Sequence, residues 1–250
     1  MAIIIKTEEE IENMKISGKI LAETLEELQK IAKAGMSTED LDDFAENFII
    51  KKGGIPGFKG YSGFPKTLCT CLNEKVVHSI PKKDEIIKEG DLLTIDCGVK
   101  YKGMNTDAAR SFAIGNTSNI KLRLIKTANI ALEKAINIAK PGIRIGEISL
   151  IIQKTIESEG FKVIKELTGH GVGRTLHEDP IILNYFDGNM GPILKPGMTL
   201  AIEPIFSIST SEIDVLKDGW TIVTKDSSCA VQAENTILIT ENGSENLTML

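Results

Sequence analysis

The chain has 250 residues, 42% hydrophobic and 26% charged, an ordinary globular composition with length for one large domain or two small ones. A formal net charge of -6 argues against nucleic acid as the main partner, because a phosphate-binding surface needs an excess of Lys and Arg. No apolar run approaches the roughly 20 residues a membrane span needs, and the run Ile3 to Ile5 is too short for a signal peptide and meets Glu8 to Glu10 at once.

In chain order, Thr7 and Glu10 form a capping-box pattern that opens a long helix, closed by Gly35. Ser37 or Thr38 caps a second helix, which Gly53 ends. Strand-like runs follow at 67–72, 92–99 and 109–114. A helix then starts near Ser118, breaks at Pro141-Gly142, restarts near Arg144 and ends at Gly160. Further strand-like runs lie at 198–206, 221–223 and 236–239. Helix pairs segregated from antiparallel strands predict an α+β fold with the helices on one sheet face. Cys69 and Cys71 alternate on the first run, which predicts a half-buried face. With Cys97 and Cys229 they form no C-x-x-C, and they read as free thiols of a reducing cytoplasm.

The two helix pairs are related. Leu25, Glu26, Ile31, Ala32, Lys33, Gly35, Ile49 and Gly53 recur as Leu132, Glu133, Ile138, Ala139, Lys140, Gly142, Ile156 and Gly160, a constant offset of 107. The same offset carries Gly90 onto Gly197 and Ile95-Asp96 onto Ile202-Glu203. The chain therefore reads as one domain, 1–250, duplicated internally as about 7–115 and 116–250 and packed about a pseudo-twofold axis.

Acids stand where a core should be. Asp96 ends the apolar run Leu92 to Ile95, and Glu203 ends its copy. A hairpin centred on Tyr101-Lys102 would make Asp96 and Asp107 direct cross-strand partners. Two carboxylates about 4 Å apart repel by roughly 4 kcal/mol at an effective dielectric of 20. They share a proton or a cation lies between them. Glu234 heads a strand much as Asp107 heads its own, a topological match outside the 107 offset. Four carboxylates meeting at a pseudo-twofold, with His170 at hand, form an oxygen-rich pocket with one imidazole. That set suits Mn, Fe(II), Co or Zn, held as a pair about 3.5–4 Å apart in hydrolases.

The three histidines all lie in polar motifs: Asn73-Glu74-Lys75-Val76-Val77-His78, Gly169-His170-Gly171 and His177-Glu178-Asp179-Pro180. Imidazole is the commonest metal ligand and proton carrier near neutral pH. Blander readings exist for each group alone. Asp107 can be a turn residue, His170 a loop histidine, and His177-Glu178 a surface pair. Gly169-x-Gly171-x-Gly173 lacks the phosphate-loop spacing.

Taken together, the motifs resemble the type I methionine aminopeptidases of the simple bacterial form, over essentially the whole chain. The matching segments are Leu72-Asn73-Glu74 to His78, Gly90 to Asp96, Asn105-Thr106-Asp107 and Gly169 to Arg174. They continue with His177 to Pro180, Leu194 to Thr199, Ile202-Glu203-Pro204, Asp218-Gly219-Trp220 and Ala233 to Thr236. The resemblance implies the duplicated pita-bread α+β fold. It also implies two divalent ions, with Asp107 and Glu234 bridging, Asp96 completing one site, and His170 and Glu203 the other. Glu203 would be the general base; His78 and His177 would flank the cleft and contact the substrate, and one or the other would stabilise the tetrahedral intermediate. Phe58, Tyr61, Phe64, Cys69, Leu176 and Trp220 would form the methionine pocket. Some relatives carry histidine at the place of Ser62 and phenylalanine at that of Leu176, differences that touch pocket shape. The chain lacks the Cys/His extension of some eukaryotic relatives and the large insertion of the type II enzymes.

The implied activity is removal of an N-terminal methionine from nascent chains when the next residue is small. Expected with it are a monomer, a cytoplasmic location and association with the ribosome. The competing readings are an X-Pro aminopeptidase or prolidase, which usually carries an extra N-terminal domain, and a non-catalytic peptide-binding module. All five ligand positions hold competent side chains, which weighs against the module.

Overall fold

The computed structural model describes residues 2–250. Two helices open it, α1 (Glu8–Ile31) and α2 (Thr38–Lys51). Five strands follow: β1 (Ile55–Pro56), β2 (Leu68–Leu72), β3 (Lys75–Val77), β4 (Leu92–Tyr101) and β5 (Met104–Ala113). The second helix pair is α3 (Asn119–Ile138) and α4 (Ile145–Ser158). Then come β6 (Lys162–Val163), β7 (Thr168–Gly171), β8 (Glu178–Leu183), β9 (Thr199–Ile202) and β10 (Ile205–Ser207). Five short strands finish the chain: β11 (Ile213–Val215), β12 (Ile222–Thr224), β13 (Ala230–Gln232), β14 (Asn235–Ile239) and β15 (Ser244–Asn246).

The helices begin where their caps predict. Thr7 accepts from the Glu10 amide while Glu10 returns a bond to the Thr7 amide, and Ser37 and Asp40 repeat the exchange at α2. Along α1, Met14, Leu21, Leu25 and Leu28 fall at helical spacing and are buried. With α2, Leu21, Leu25 and Leu28 cover β2 and β4, forming one core with Leu68, Leu93, Ile95 and Val99. A second core gathers α3 and α4 over Leu200, Ile202, Phe206 and Ile237.

The 107 offset is visible in the geometry. α2 maps residue for residue onto α4, and β1 onto β6. The bridge Ser37–Ile86 recurs as Arg144–Ile193, and the pair Ile55–Lys100 as Lys162–Ser207. At the seam, Ala109 and Glu234 exchange backbone bonds, N–H to O at 3.4 and 3.1 Å. On either side, Ser111 Oγ donates to the Gln232 carbonyl at 2.6 Å and Thr236 Oγ1 to the Asp107 carbonyl at 2.8 Å. These two bonds exchange under the pairs Ala109/Glu234, Asp107/Gln232 and Ser111/Thr236, so the approximate axis passes between Ala109 and Glu234.

Several expectations need correction. Asp96 lies opposite Ala109 and Asp107 opposite Gly98, so the two acids are diagonal, not direct, partners. The turn is Lys102-Gly103, both at positive φ (44° and 86°), the geometry of a two-residue hairpin loop. Asp107 therefore sits inside β5, not at its start. Its register counterpart is Gln232, while Glu234 takes the place of Ala109. The run 198–206 breaks at Glu203-Pro204 into β9 and β10, since Pro204 has no N–H to give the ladder. β2 is buried at every position, so Cys69 and Cys71 have no exposed face.

The seam bonds carry a testable load. The Asp107 N–H also donates to Thr236 Oγ1, at 2.9 Å in a buried setting. Thr236→Val leaves that donor unpaired and should cost about 2 kcal/mol in urea unfolding. An unchanged midpoint would show that the seam is held elsewhere.

Candidate metal centre

The seam collects the acids. Asp96 on β4, Asp107 on β5, Glu203 just after β9 and Glu234 just before β14 line one cavity of about 260 Å³. His170 projects into it from β7, a strand not among the runs predicted above, where a loop histidine was one reading. The glycines that suggested a loop are there for close packing: a Cβ on Gly169 would lie 2.5 Å from the Ala201 carbonyl oxygen. Ligand atoms of Asp107, His170 and Glu234 all lie within 4.8 Å of one another. His170 Nε2 is 3.5 Å from Glu203 Oε1 and 4.0 Å from Asp107 Oδ2. Asp96 is within hydrogen-bonding reach of Asp107.

The proton on His170 can be placed. Burial, and then the neighbouring His177, push its pKa down to about 3, so the ring is neutral at pH 7 and carries one proton. Nδ1 lies 2.9 Å from the Gly171 carbonyl, which only accepts, so the proton is on Nδ1. Nε2 is left with a lone pair aimed at two carboxylates. Three oxygens among the acids, Asp96 Oδ1, Asp107 Oδ1 and Glu234 Oε1, are buried without a hydrogen-bond partner. A lone pair facing anions, beside orphaned carboxylate oxygens, is repulsive unless cations lie between them. These side chains fit divalent metal.

Gln232 was not singled out in the sequence. Its Nε2 donates to Glu203 Oε2 at 3.2 Å and Glu234 Oε2 at 3.1 Å. That turns Glu203 Oε1 toward His170 and leaves Glu234 Oε1 free for the cavity. The signal for it was its place as the counterpart of Asp107, visible only with the strand register.

The other residues expected at the site are all found around it. Phe58, Phe64, Cys69 and Leu176 form a buried apolar cluster, with Trp220 and Ile80 packed on it. Phe64 meets Trp220 edge-on, with centroids 5.1 Å apart. Gly98, also unforeseen, makes room for this wall, since a Cβ there would stand 2.7 Å from the Phe58 ring. His78, Tyr61 and His177 stand exposed at the mouth. His177 packs on His170 at 4.3 Å between centroids, and its Nδ1 is 2.9 Å from the Tyr61 hydroxyl. His78 holds a positive φ of 57° directly after β3. A second recess, about 370 Å³, shares His78, His170, His177 and Glu203 and runs past Thr168, Leu167 and Ile181.

The carboxyls predict how stability responds to metal and pH. Burial raises the Asp96 pKa from 3.8 to about 7. Burial first, then neighbouring acids, hold Asp107, Glu203 and Glu234 well above the usual carboxylate range. Acids raised in the fold favour it when protonated, so their contribution is complete at low pH and lost as pH rises through the raised values. Chelated protein should therefore lose Tm between about pH 5 and 8, and the Tm gained on adding Mn or Co should grow over that range. A metal-induced gain independent of pH would count against these carboxyls as the binding groups.

Comparison with known proteins agrees with this geometry. Residues 12–241 match Metallopeptidase family M24. A methionine aminopeptidase of Clostridium acetobutylicum is 46% identical over 247 residues, covering 99% of each chain. The crystal structure of a Thermotoga maritima methionine aminopeptidase superposes with a TM-score of 0.98 at 45% identity, over 100% of both chains. A prolidase from Pyrococcus furiosus reaches a TM-score of 0.76 at 25% identity and is covered over 66% of its length. The chain therefore belongs to metallopeptidase family M24, with the pita-bread fold, and its full-length likeness is to the methionine aminopeptidases within that family.

Proposed function

We propose that this chain removes the N-terminal methionine from peptides and nascent proteins whose second residue is small. The observation that carries the proposal is one cavity with two unlike walls. One wall is buried carboxylates with the His170 lone pair; the other is the apolar cluster of Phe58, Phe64, Cys69, Leu176 and Trp220. A thioether side chain suits the second wall, being flexible and polarisable against aromatic rings. The full-length likeness to methionine aminopeptidases supports the same substrate over an X-Pro one.

In this reading Asp96, Asp107, His170, Glu203 and Glu234 would hold divalent metal, with Asp107 and Glu234 as ligands common to both halves of the cavity. Co, Mn, Fe(II) and Zn all accept such oxygen-rich ligands. What divalent ions supply there is Lewis acidity, which acidifies water and polarises a carbonyl. Glu203 takes the proton of the attacking water and returns it to the leaving amine as the C–N bond breaks. Gln232 holds the Glu203 carboxylate in place for both transfers. A Tyr61 hydroxyl donating to His177 Nδ1 leaves the ring proton on Nε2, where it can stabilise the developing oxyanion. His78 faces the same mouth and holds the substrate backbone. The substrate's free α-amine settles among the acids, which restricts cleavage to chain ends.

The proposal extends to setting. Nascent chains as substrates, buried free thiols at Cys69, Cys71 and Cys97, and no described helix long and apolar enough to cross a membrane support a cytoplasmic enzyme working near the ribosome. We take it to act as a monomer; the proposed site is complete within one chain and needs no residue from a second copy.

Asp107→Asn should lose bound metal and hydrolysis of Met-Ala-Ser while keeping its circular dichroism spectrum; a fully active variant would refute its role as a metal ligand. Trp220→Ala should raise KM for Met-Ala-Ser about tenfold, with less effect on kcat. Cleavage of an Ala-Pro substrate in preference to Met-Ala-Ser would replace the proposal with a proline-directed one.

A further inference from the structure

The segment ahead of α1 reaches into the site from behind. The Lys6 side chain is 1% exposed and the Glu178 side chain 2%, and Lys6 Nζ lies 2.5 Å from Glu178 Oε2. The Lys6 N–H also donates to the Gly197 carbonyl at 2.9 Å, so the strap is fixed at its backbone too. Glu178 directly follows His177. Its other oxygen, Oε1, accepts from the Thr175 N–H at 3.1 Å, and Thr175 Oγ1 donates to the His177 carbonyl at 2.8 Å. The loop 173–178 is thus folded around the Glu178 carboxylate, and that carboxylate is held by Lys6.

The lysine stem passes over Gly173, whose φ is 152° and where a Cβ would collide with Lys6 Cε. Asn105 Nδ2 donates to the Gly173 carbonyl at 2.8 Å, closing the same loop from β5. His177 itself is exposed, and its imidazole packs on the rings of His170 and Tyr61. Its position is therefore set from the loop's buried side. A buried charge pair is a costly choice for stability alone, because apolar residues of similar volume serve as well.

We propose that Lys6 is a positioning residue, whose ammonium on the Glu178 carboxylate places the His177 imidazole at the mouth of the cavity. The inference rests on the reading of His177 as a substrate-contacting group. Small displacements of such a group are expensive, since about 1 Å can cost on the order of a hundredfold in rate.

The test compares wild type, Lys6→Met, Lys6→Arg, His177→Ala and Lys6→Met/His177→Ala as metal-loaded enzymes on Met-Ala-Ser. Rates are taken per folded, metal-loaded molecule, so a loss of stability alone does not register. Lys6→Met should lower kcat about tenfold with KM changed less than about threefold. Lys6→Arg should recover most of that loss. In the His177→Ala background, Lys6→Met should cost nothing further, because groups acting through one another are not additive. If Lys6→Met does not fold, Lys6→Met/Glu178→Gln removes both buried charges and is held to the same expectations. A wild-type kcat in the lysine variant, or losses that multiply with His177→Ala, would overturn the inference and leave the proposed function standing. A wild-type kcat in His177→Ala would overturn the role of His177 and the inference with it.

Discussion

Everything at the seam answers to one constraint, the burial of four carboxylates in a single cavity. Asp96, Asp107, Glu203 and Glu234 are 7%, 4%, 9% and 1% exposed. Ionised together in a dry site they repel one another and lose hydration, and each effect opposes folding. Among the described residues, no lysine or arginine lines the cavity to offset them. The neighbouring guanidinium, Arg110, is spent on backbone and amide oxygens: the carbonyls of Ala109, Glu234 and Thr248, and Asn235 Oδ1. It holds the strand that carries Glu234, and it acts on that carboxylate through its charge alone, without a hydrogen bond. A fold that gathers acids and spends its cation on backbone is organised for a cation from outside.

The strand frame makes that gathering tolerable. The paired strands satisfy their backbone groups before any acid is considered, and the seam bonds of Ser111 and Thr236 lock the halves at the point where the acids meet. The costly groups are therefore held by a scaffold with two large apolar cores, one under each helix pair, and smaller clusters that join the halves. Such a scaffold can sustain a strained, unpaired site because the site contributes little to its own support.

Much of this was legible in the chain. The capping boxes at Thr7 and Ser37 mark helix starts chemically, by which side chain can bond which amide. The acids on apolar strands stood out because burial without a partner is so unfavourable. The error in the β4–β5 register was harmless for a physical reason. Moving the turn centre from between Tyr101 and Lys102 to between Lys102 and Gly103 shifts each partner by two residues, which preserves the face each side chain occupies. Asp96 and Asp107 therefore still converge. The strand β7 was missed because Gly169 and Gly171 carry loop propensity, while their use is close backbone approach to a neighbouring strand. Gln232 and Gly98 were missed because a bridging amide and an absent side chain acquire meaning only from what surrounds them.

The same registers explain why an approximately symmetric frame can serve a one-ended substrate. His170 lies opposite Ala201 on β9; at the matching place in the first half, Cys71 lies opposite Thr94 on β4. One half thus offers a neutral imidazole, the other a thiol whose pKa burial pushes up to about 12. A thiol held protonated adds neither charge nor a good ligand to the centre. Likewise Asp107 faces its counterpart Gln232, so a carboxylate on one side is answered by an amide on the other. Each replacement removes an anion or a donor from one half only, and the two halves of the cavity that symmetry would make alike become different. A peptide has an amine at one end and a scissile carbonyl a few bonds away. Two unlike halves can tell these groups apart, whereas two equal ones could bind the chain in either direction.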